Sequence, residues 1–528
     1  MKNIFRHHHF YGVVISVLFF MAGVLVLDDY GITWDEKESF LAGYANLEVV
    51  RSLISGEPIS WPWHELRGYY FVLDTLRGAF ARLLCGRWHF LELAEAYHLF
   101  HLVLSAAALF VLYLLVTAVG GSRRAAFFAS LTLALFPRFI AHAQNNPKDL
   151  PALFVFVITV YALVRVLRRG GLISSAVAGG LLALALTTTP LSVFIPVIFF
   201  AWLLIGERGI LLQRKKEFLA VFLFAGICFY LFWPWLWDDP LAKLAASVKM
   251  VVSFRVPFQT LYLGEVFTGE QMPWHYFIVM FLVVTPVLYT VFALLSPAAF
   301  LKTGLDKTGG LRSLVILGWV WAAVLVAVEM QVGSHYDGIR HFLPVVPAFC
   351  LLAGTGIEML FRFCEKASSR ETGRVLVLGL SGVVAAGYLQ VFFDVAKIHP
   401  YQSAYLNRVT NLFLDNNAED YFETEYWGQT YREGALWLNR HMEKNAEVCV
   451  PKNAVFAVDY YLEKEVQSEF TAQFFIDTAV PKYLMLIPRK AVYNDFMHWV
   501  DNTYEPVYTI RRQQGTLLKI FKNTLKKK

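Results

Sequence analysis

The sequence predicts an α-helical polytopic membrane protein of about eleven transmembrane helices, followed by a small C-terminal α/β or α+β extracytoplasmic domain. Three observations predict it. Apolar runs of about 16–22 residues recur as far as about residue 393, each long enough to cross a hydrocarbon core. Lys and Arg gather on alternate connections between the runs. The tail of about 130 residues then carries seventeen Lys/Arg and sixteen Asp/Glu, the near-neutral balance of a soluble segment.

The spans fall at about 10–27, 97–119, 125–142, 150–167, 172–188, 191–206, 217–236, 275–296, 312–330, 341–361 and 375–393. The chain is 57% hydrophobic, and its 17% charge lies below the roughly one quarter usual in soluble proteins. Net charge is +6, but no Lys/Arg-rich face with interleaved aromatics is present, which excludes a nucleic-acid partner. The five cysteines are scattered, without zinc spacing or a disulfide framework. The opening MKNIFRHHHF is a basic flank before an apolar span and predicts a retained signal-anchor helix. His7, His8 and His9 belong to that flank rather than to a metal site.

With a cytoplasmic N-terminus, the inner segments hold eighteen Lys/Arg and the short outer loops only Lys148 and Arg340. The outside then receives a first loop (28–96), a short loop (143–149), a loop at 237–274 and everything after about 394. This divides the chain into a transmembrane domain, 1–396, and a soluble domain, 397–528. In the latter YREGALWLNRHM reads as a helix, and AEVCV, KYLMLI and the PVYTI…TLLKIF pair as strands.

The first outer loop opens on GITWDEKES. Thr33 and Glu36 form a T-x-x-E capping box that starts a helix at Trp34, with Phe40, Tyr44, Leu47 and Leu53 or Ile54 at helical spacing. A second stretch, 69–84, puts Leu73, Leu76, Phe80 and Leu83 on one side; both helices are expected to lie along the membrane surface. Glu36 is partly occupied by the cap. Asp35 is the free acid, at the positive end of the helix, unless both acids simply cap a surface helix.

Other polar groups reach the same level. FPRFIAHAQNNPKDLP places Arg138 and His142 four apart on one helix face, then offers Lys148 and Asp149; Asn146 or Asp149 also suits a cap for the next helix. Arg138 within an apolar span needs a polar interior and a partner. AVEMQVGSHYDGIRHFLP brings Glu329, His335, Tyr336, Asp337, Arg340 and His341; Arg340 either forks onto phosphate oxygens or pairs with Glu329 or Asp337. Trp237, in FWPWLWDDPL, suits an interfacial aromatic belt or stacking on a sugar ring. Tyr262, Glu265 and His275 are candidates to line the same cavity. YFETEYWGQTYREG (421–434) is either a packing seam of the tail or a cover for the site.

The first-loop acids, FPRFIAHAQNNPKDLPA, WPWLWDDPL, LYLGE…PWHY, HYDGIRHFLPVVPA and HPYQSAYLN…FETEYWGQTYREGALWL occur in an order that resembles bacterial membrane glycosyltransferases of family 39. That family belongs to the GT-C superfamily, with the protein O-mannosyltransferases and the lipid A aminoarabinose transferases. The resemblance covers most of the chain. It implies a polyprenyl-phosphate-linked sugar as donor, transfer on the non-cytoplasmic side of the cell (inner) membrane, and a lipid, glycan or protein acceptor. Many relatives carry a basic residue before Pro-Pro in the first loop. Here the region reads WHELRGYYFVLDTLRG, where His64 or Arg67 is the substitute.

Together these readings assign Asp35 as general base. Glu36 and Asp149 orient the acceptor, or Asp35 and Asp149 hold a divalent metal ion; no other cofactor is expected. Arg138, His142, Lys148, Tyr336, Arg340 and His341 hold the donor phosphate. Trp237, Tyr262, Glu265 and His275 contact sugar or acceptor. Single displacement inverts the anomeric centre. A helix N-terminus lowers the pKa of Asp35, whereas Glu36 or burial raises it; the sequence leaves that balance open. The alternatives are a transporter or flippase lined by Arg138 and Glu329, and an anchored binding protein with the tail as receptor. Polar groups gathered at one face, without a visible inverted repeat, speak against the first, and eleven helices against the second.

Overall fold

The computed structural model describes residues 9–59, 70–253, 258–301, 306, 308–331, 336–366, 369–414, 417–468, 475–476, 480–513 and 515–523. His7, His8, His64, Arg67 and His335 lie outside the described residues. Each of the eleven apolar segments is helical. Leu93–Val119, Asp149–Arg169, Gly310–Glu329, Val345–Glu365 and Glu371–Ile398 are long and apolar enough to cross a bilayer by themselves. Two further segments are bent pairs, which brings the number of such spans to seven among the described residues. Phe10–Leu25, Leu172–Leu186 and Pro190–Gly206 are shorter apolar helices, and Lys215–Phe232 carries Lys215, Lys216 and Glu217 in its first turn.

The bends have a local cause. The expected span 125–142 is two helices, Arg123–Ala134 and Pro137–Asn145, at 63°. Proline cannot donate to a helical ladder and pushes its predecessor out of helical geometry; Phe136 is extended. The same logic at Pro286, preceded by the extended Thr285, turns Tyr276–Val284 from the following helix by 112°. After the first bend His142 meets Asn146 of the 146–149 turn.

The helices Asp149–Arg169 and Val345–Glu365 are mostly enclosed by protein, whereas the Glu371–Ile398 span is largely exposed and lies at the rim. Small residues allow close crossings at the centre, as is usual where helices meet in a membrane: Gly354 packs on the backbone at Ala125 and Ala129, and Gly356 on that at Phe292.

The two expected surface helices are Glu36–Ser55 and Phe71–Ala81. The first starts two residues later than expected. They meet through Gly43 and Gly78, whose backbones touch. In the second helix the expected stripe is split between the protein and the outside. Leu76 and Leu83 are exposed, while Asp74, Arg77 and Gly78 face the protein with Leu73. The polar side is buried because Arg77 bonds Asp74, His101 and the Pro147 carbonyl; the leucines are left for the membrane surface.

The 237–274 loop contains a helix, Pro240–Ser253, and a hairpin absent from the sequence expectation, β1 (Gln259–Tyr262) and β2 (Glu265–Thr268). The tail forms a five-stranded mixed sheet in the order β4-β3-β5-β7-β6. The strands β3 (Glu447–Cys449), β5 (Lys482–Leu486), β6 (Tyr508–Arg512) and β7 (Gly515–Lys522), and the helix Tyr431–His441, lie where expected; β4 (Val466–Gln467) was not foreseen. The last long helix ends at Ile398, and all five cysteines are free.

The segment 417–430 joins the sheet to the membrane part. Trp34 N–H donates to the Trp427 carbonyl at 3.3 Å, and Phe422 bridges Tyr262. Gly31 lies so close to the Gln429 carbonyl that an added Cβ would overlap it. Gly31→Ala is therefore expected to loosen this junction at a cost of about 1–3 kcal/mol, read as faster proteolysis of the tail. Gly226→Ala, whose Cβ meets open space, should leave the digestion rate unchanged.

Candidate active site

Half of the expected capping box forms: the Thr33 N–H donates to Glu36 Oε2 at 2.8 Å, but the Glu36 N–H goes to the Thr33 carbonyl rather than to its hydroxyl. Glu36 is fully buried, and its other oxygen lies 3.0 Å from His98 Nε2. With both oxygens engaged there, Glu36 is turned away from Asp35 and does not join the expected pair of acids. Asp35, at the N-cap, faces the other way.

The turn after Pro137–Asn145 is built by Asn146. Its Oδ1 accepts the N–H groups of Lys148 (3.0 Å) and Asp149 (2.7 Å), capping the next helix. Its amide donates to Asp149 Oδ2 and meets His142 Nδ1, each at 3.0 Å. One side chain thus sets the positions of Asp149 and His142. Asn145 ties the turn to the Gly31 carbonyl (2.9 Å) and to Gln429 (3.2 Å).

The 336–342 loop supplies Arg340, which is buried. Its Nη1 donates to Asp35 Oδ2 at 3.1 Å and Asp149 Oδ2 at 3.4 Å; its Nε and Nη2 face Asp337 Oδ2 at 3.0 and 2.9 Å. Of the two partners considered from sequence, Asp337 is taken, and two distant aspartates are added. Lys148 Nζ stands 3.6 Å from Asp35 Oδ1. His341 Nδ1 lies 3.9 Å from Asp149 and its ring packs on Tyr336. Side-chain exposure is 35% at Lys148 and 33% at His341 but 6% at Arg340, so the cluster opens on the Lys148–His341 side.

Burial by itself would raise the Asp35 carboxyl. Arg340 and Lys148, with the Trp427 N–H, outweigh burial and hold it at about 2. This decides the balance that sequence left open, and Glu36 has no part in it. Burial and then Arg340 keep His341 well below its usual range, so it is neutral. Burial pushes the Tyr336 phenol up to about 12, which keeps it a donor.

The tail enters this cluster directly. Trp427 Nε1 donates to Asp35 Oδ2 at 3.1 Å, the Trp427 ring lies 5.0 Å from the Arg340 guanidinium, and His142 meets it edge-on. Arg489, after β5, donates to Asp337 Oδ1 (2.8 Å), Glu423 Oε1 (2.9 Å) and the Tyr426 carbonyl (3.2 Å). Burial pushes the Glu423 carboxyl up, to about 7, although Arg489 pulls it down.

Asp35, Asp149, Lys148, Arg340, His341 and Tyr336 are thus brought together, with His142 behind Trp427. Arg138 is buried one layer away: its Nη1 donates to Tyr426 Oη at 2.9 Å, holding the tail rather than reaching Asp35. Tyr262 Oη meets His275 Nδ1 at 2.7 Å, and Tyr276 Oη, beside that pair, accepts the Gly338 N–H at 3.0 Å. Tyr262 and His275 therefore brace the outside of the Arg340 loop. Glu265 is exposed at the hairpin. Trp237 exchanges hydrogen bonds with Tyr230 in its own segment, which fits the belt reading. For a divalent ion, the Arg340 Nη1 takes the place between Asp35 and Asp149, and no three His, Cys, Asp or Glu side chains gather to hold a metal among the described residues. The pair does not fit an ion, and no step below runs through one.

Sequence reasoning left out Trp427, Arg489, Glu423 and the orienting role of Asn146. The one signal was the density of acids and aromatics in 421–434, which was read as seam or cover. The segment is both.

Residues 90–237, which include Arg138, His142, Lys148 and Asp149, match the family model described as dolichyl-phosphate-mannose-protein mannosyltransferase. The chain superposes on the crystal structure of ArnT from Cupriavidus metallidurans in the apo state over 96% of its own length and 98% of the other's, at 11% identity and a TM-score of 0.50. The archaeal oligosaccharyltransferase AglB from Archaeoglobus fulgidus, in complex with an inhibitory peptide and a dolichol-phosphate, is similar over 88% of this chain and 64% of that one, at 12% identity and a TM-score of 0.47. No curated protein matches the chain. The resemblance carried by the ordered motifs is borne out, and the fold is that of the ArnT crystal structure.

A carboxyl with a raised pKa in the fold holds its proton more tightly folded than unfolded. Glu423 therefore lowers the stability of the tail junction as pH rises from about 4.5 to about 7. The junction is expected to resist proteolysis better at pH 5 than at pH 7.5, and Glu423→Gln should flatten this difference. A wild-type profile independent of pH would contradict the assignment.

Proposed function

We propose that this protein transfers a sugar from a polyprenyl-phosphate donor to a hydroxyl of a lipid, glycan or protein acceptor at the membrane face that carries the sheet. The observation that carries the reading is the Arg340 guanidinium shared by Asp35 and Asp149, with Lys148 at the open side. A carboxylate base and two cations within one water-accessible cluster are what displacement at a phosphate-linked anomeric carbon requires. The buried Nε2 atoms of His142 and His341 have no hydrogen-bond partner among the described residues, as expected of groups that meet a ligand. The eighteen-to-two distribution of Lys and Arg supports a cytoplasmic N-terminus and a non-cytoplasmic sheet, and the family resemblance implies the inner membrane.

In this mechanism the acceptor oxygen attacks the anomeric carbon as the bond from that carbon to the phosphate oxygen breaks. Asp35 takes the hydroxyl proton, and the polyprenyl phosphate leaves as an anion beside Arg340 and Lys148. Attack opposite the leaving group inverts the centre. Asp149, on the same guanidinium, orients the acceptor. Glu36 acts at a distance, by fixing the loop that presents Asp35.

Burial raises the Asp35 carboxyl, and its pairing with Arg340 and Lys148 outweighs that. A donor phosphate competes for Arg340 and Lys148, and the carboxyl loses part of the attraction that depresses its pKa. Donor binding thereby makes Asp35 a better base. The charged groups sit at helix ends and in loops on one face, which favours this reading over a transport path through the midplane.

Transfer of labelled sugar from polyprenyl-phosphate donors by the purified protein tests the proposal. Asp35→Asn is expected to lower turnover by about 10²–10⁴-fold while binding polyprenyl phosphate at least as tightly as wild type, because a competitor for Arg340 is gone. Arg340→Lys loses the fork and should weaken that binding. Near-normal turnover by Asp35→Asn would remove it from the mechanism.

A further inference from the structure

Asp337 has a positive φ of 56°, a left-handed backbone that a non-glycine residue rarely adopts. Its buried carboxylate is divided: Oδ2 takes the Nε and Nη2 edge of Arg340, and Oδ1 takes Arg489 Nη2 at 2.8 Å. The edge of Arg340 left for Asp35 and Asp149 is Nη1. The direction of that edge follows from how Asp337 is held. Arg489 is fixed in turn, since Nε, Nη1 and Nη2 each have a separate acceptor, and it too is buried. Among the described residues, Arg340 and Arg489 are the cations paired with Asp337.

We propose that Arg489, supplied by the C-terminal sheet region, is a positioning residue of the transfer reaction: acting through Asp337, it aims the Nη1 edge of Arg340 at the donor phosphate. The inference rests on the function proposed above. It makes the sheet region a working part of the site rather than a cover. Without Arg489, Asp337 Oδ1 is buried without a cation, and the carboxylate turns toward Arg340. The guanidinium then swings with it, away from the line to Asp35 and Asp149. A purely structural Arg489 would instead act like the other ties of the same region to the first loop, such as Arg432 to Asp28 at 2.8 Å.

The test uses the full chain in lipid nanodiscs, with polyprenyl-phosphate sugar as donor. Arg489→Ala, in protein whose tail is intact by electrophoresis, is expected to lower kcat about 100-fold, the loss typical of a displaced reacting group. Added guanidinium should restore part of kcat in this variant. Asp337→Asn, which keeps the side-chain shape, should lose as much, and the double variant no more than either alone. Arg489→Lys, which keeps charge but not the three-way fork, should fall between. Arg432→Ala should retain turnover. Wild-type kcat in Arg489→Ala would overturn the inference. So would an equal loss in Arg432→Ala, with an exposed tail and no response to guanidinium. If wild type itself transfers no sugar, the proposed function fails and this inference with it; transfer by wild type with full activity in Arg489→Ala and Asp337→Asn sinks this inference alone.

Discussion

The structure of this site depends on the Arg340 guanidinium and its three aspartates. Asp35 comes from the first loop, Asp149 from the start of a central helix, and Asp337 from the loop of Arg340 itself. Arginine suits the position because its five donors lie in one plane and it stays charged when buried. A buried guanidinium with fewer anions would carry a large desolvation penalty, and three carboxylates this close would repel one another without it. The cluster therefore holds together as a unit, and the loops that carry its members are ordered by it.

Each member is delivered by a small local device. Pro137 breaks a span so that its second half turns toward the first loop. Asn146 caps the next helix and in the same act sets Asp149 and His142. Glu36 gives up a catalytic position to pin the loop of Asp35 between Thr33 and His98. Gly31 lets the Gln429 carbonyl approach closely, which brings Trp427 onto Asp35. None of these devices bears the chemistry, yet each limits where a reacting group can stand.

The electrostatics fit a site that waits for an anion. Asp35 and Asp149 on Arg340 Nη1 occupy directions that a phosphate oxygen can take over, while Asp337 keeps the Nε and Nη2 edge. Exchange of one anion for another is less costly than opening an empty cationic pocket to water. It also couples ligand and base, because the interaction that lowers the Asp35 pKa is the one a phosphate would weaken. The sheet region reaches this cluster through Trp427 and Arg489.

Much of the fold was legible in the sequence. Length and apolarity of a run are local properties, and they placed all eleven helical segments; alternation and turn residues placed four of the five tail strands. The bends at Pro137 and Pro286 were within reach of the same rules, whereas the burial of the polar side of Phe71–Ala81 was not, because Arg77, with Asp74 paired to it, is drawn inward by His101 and the Pro147 carbonyl. For the site, the sequence determined which charged residues stand at helix ends on one face, since a bilayer leaves few other places for them. Only the tertiary structure decided who pairs with whom. The contacts that matter join residues 191, 305 and 392 positions apart, and a charge is satisfied by whichever partner the fold brings within about 3 Å. That is why Asp35 and Arg340 could be named from sequence, while the roles of Trp427 and Arg489, and the withdrawal of Glu36, could not.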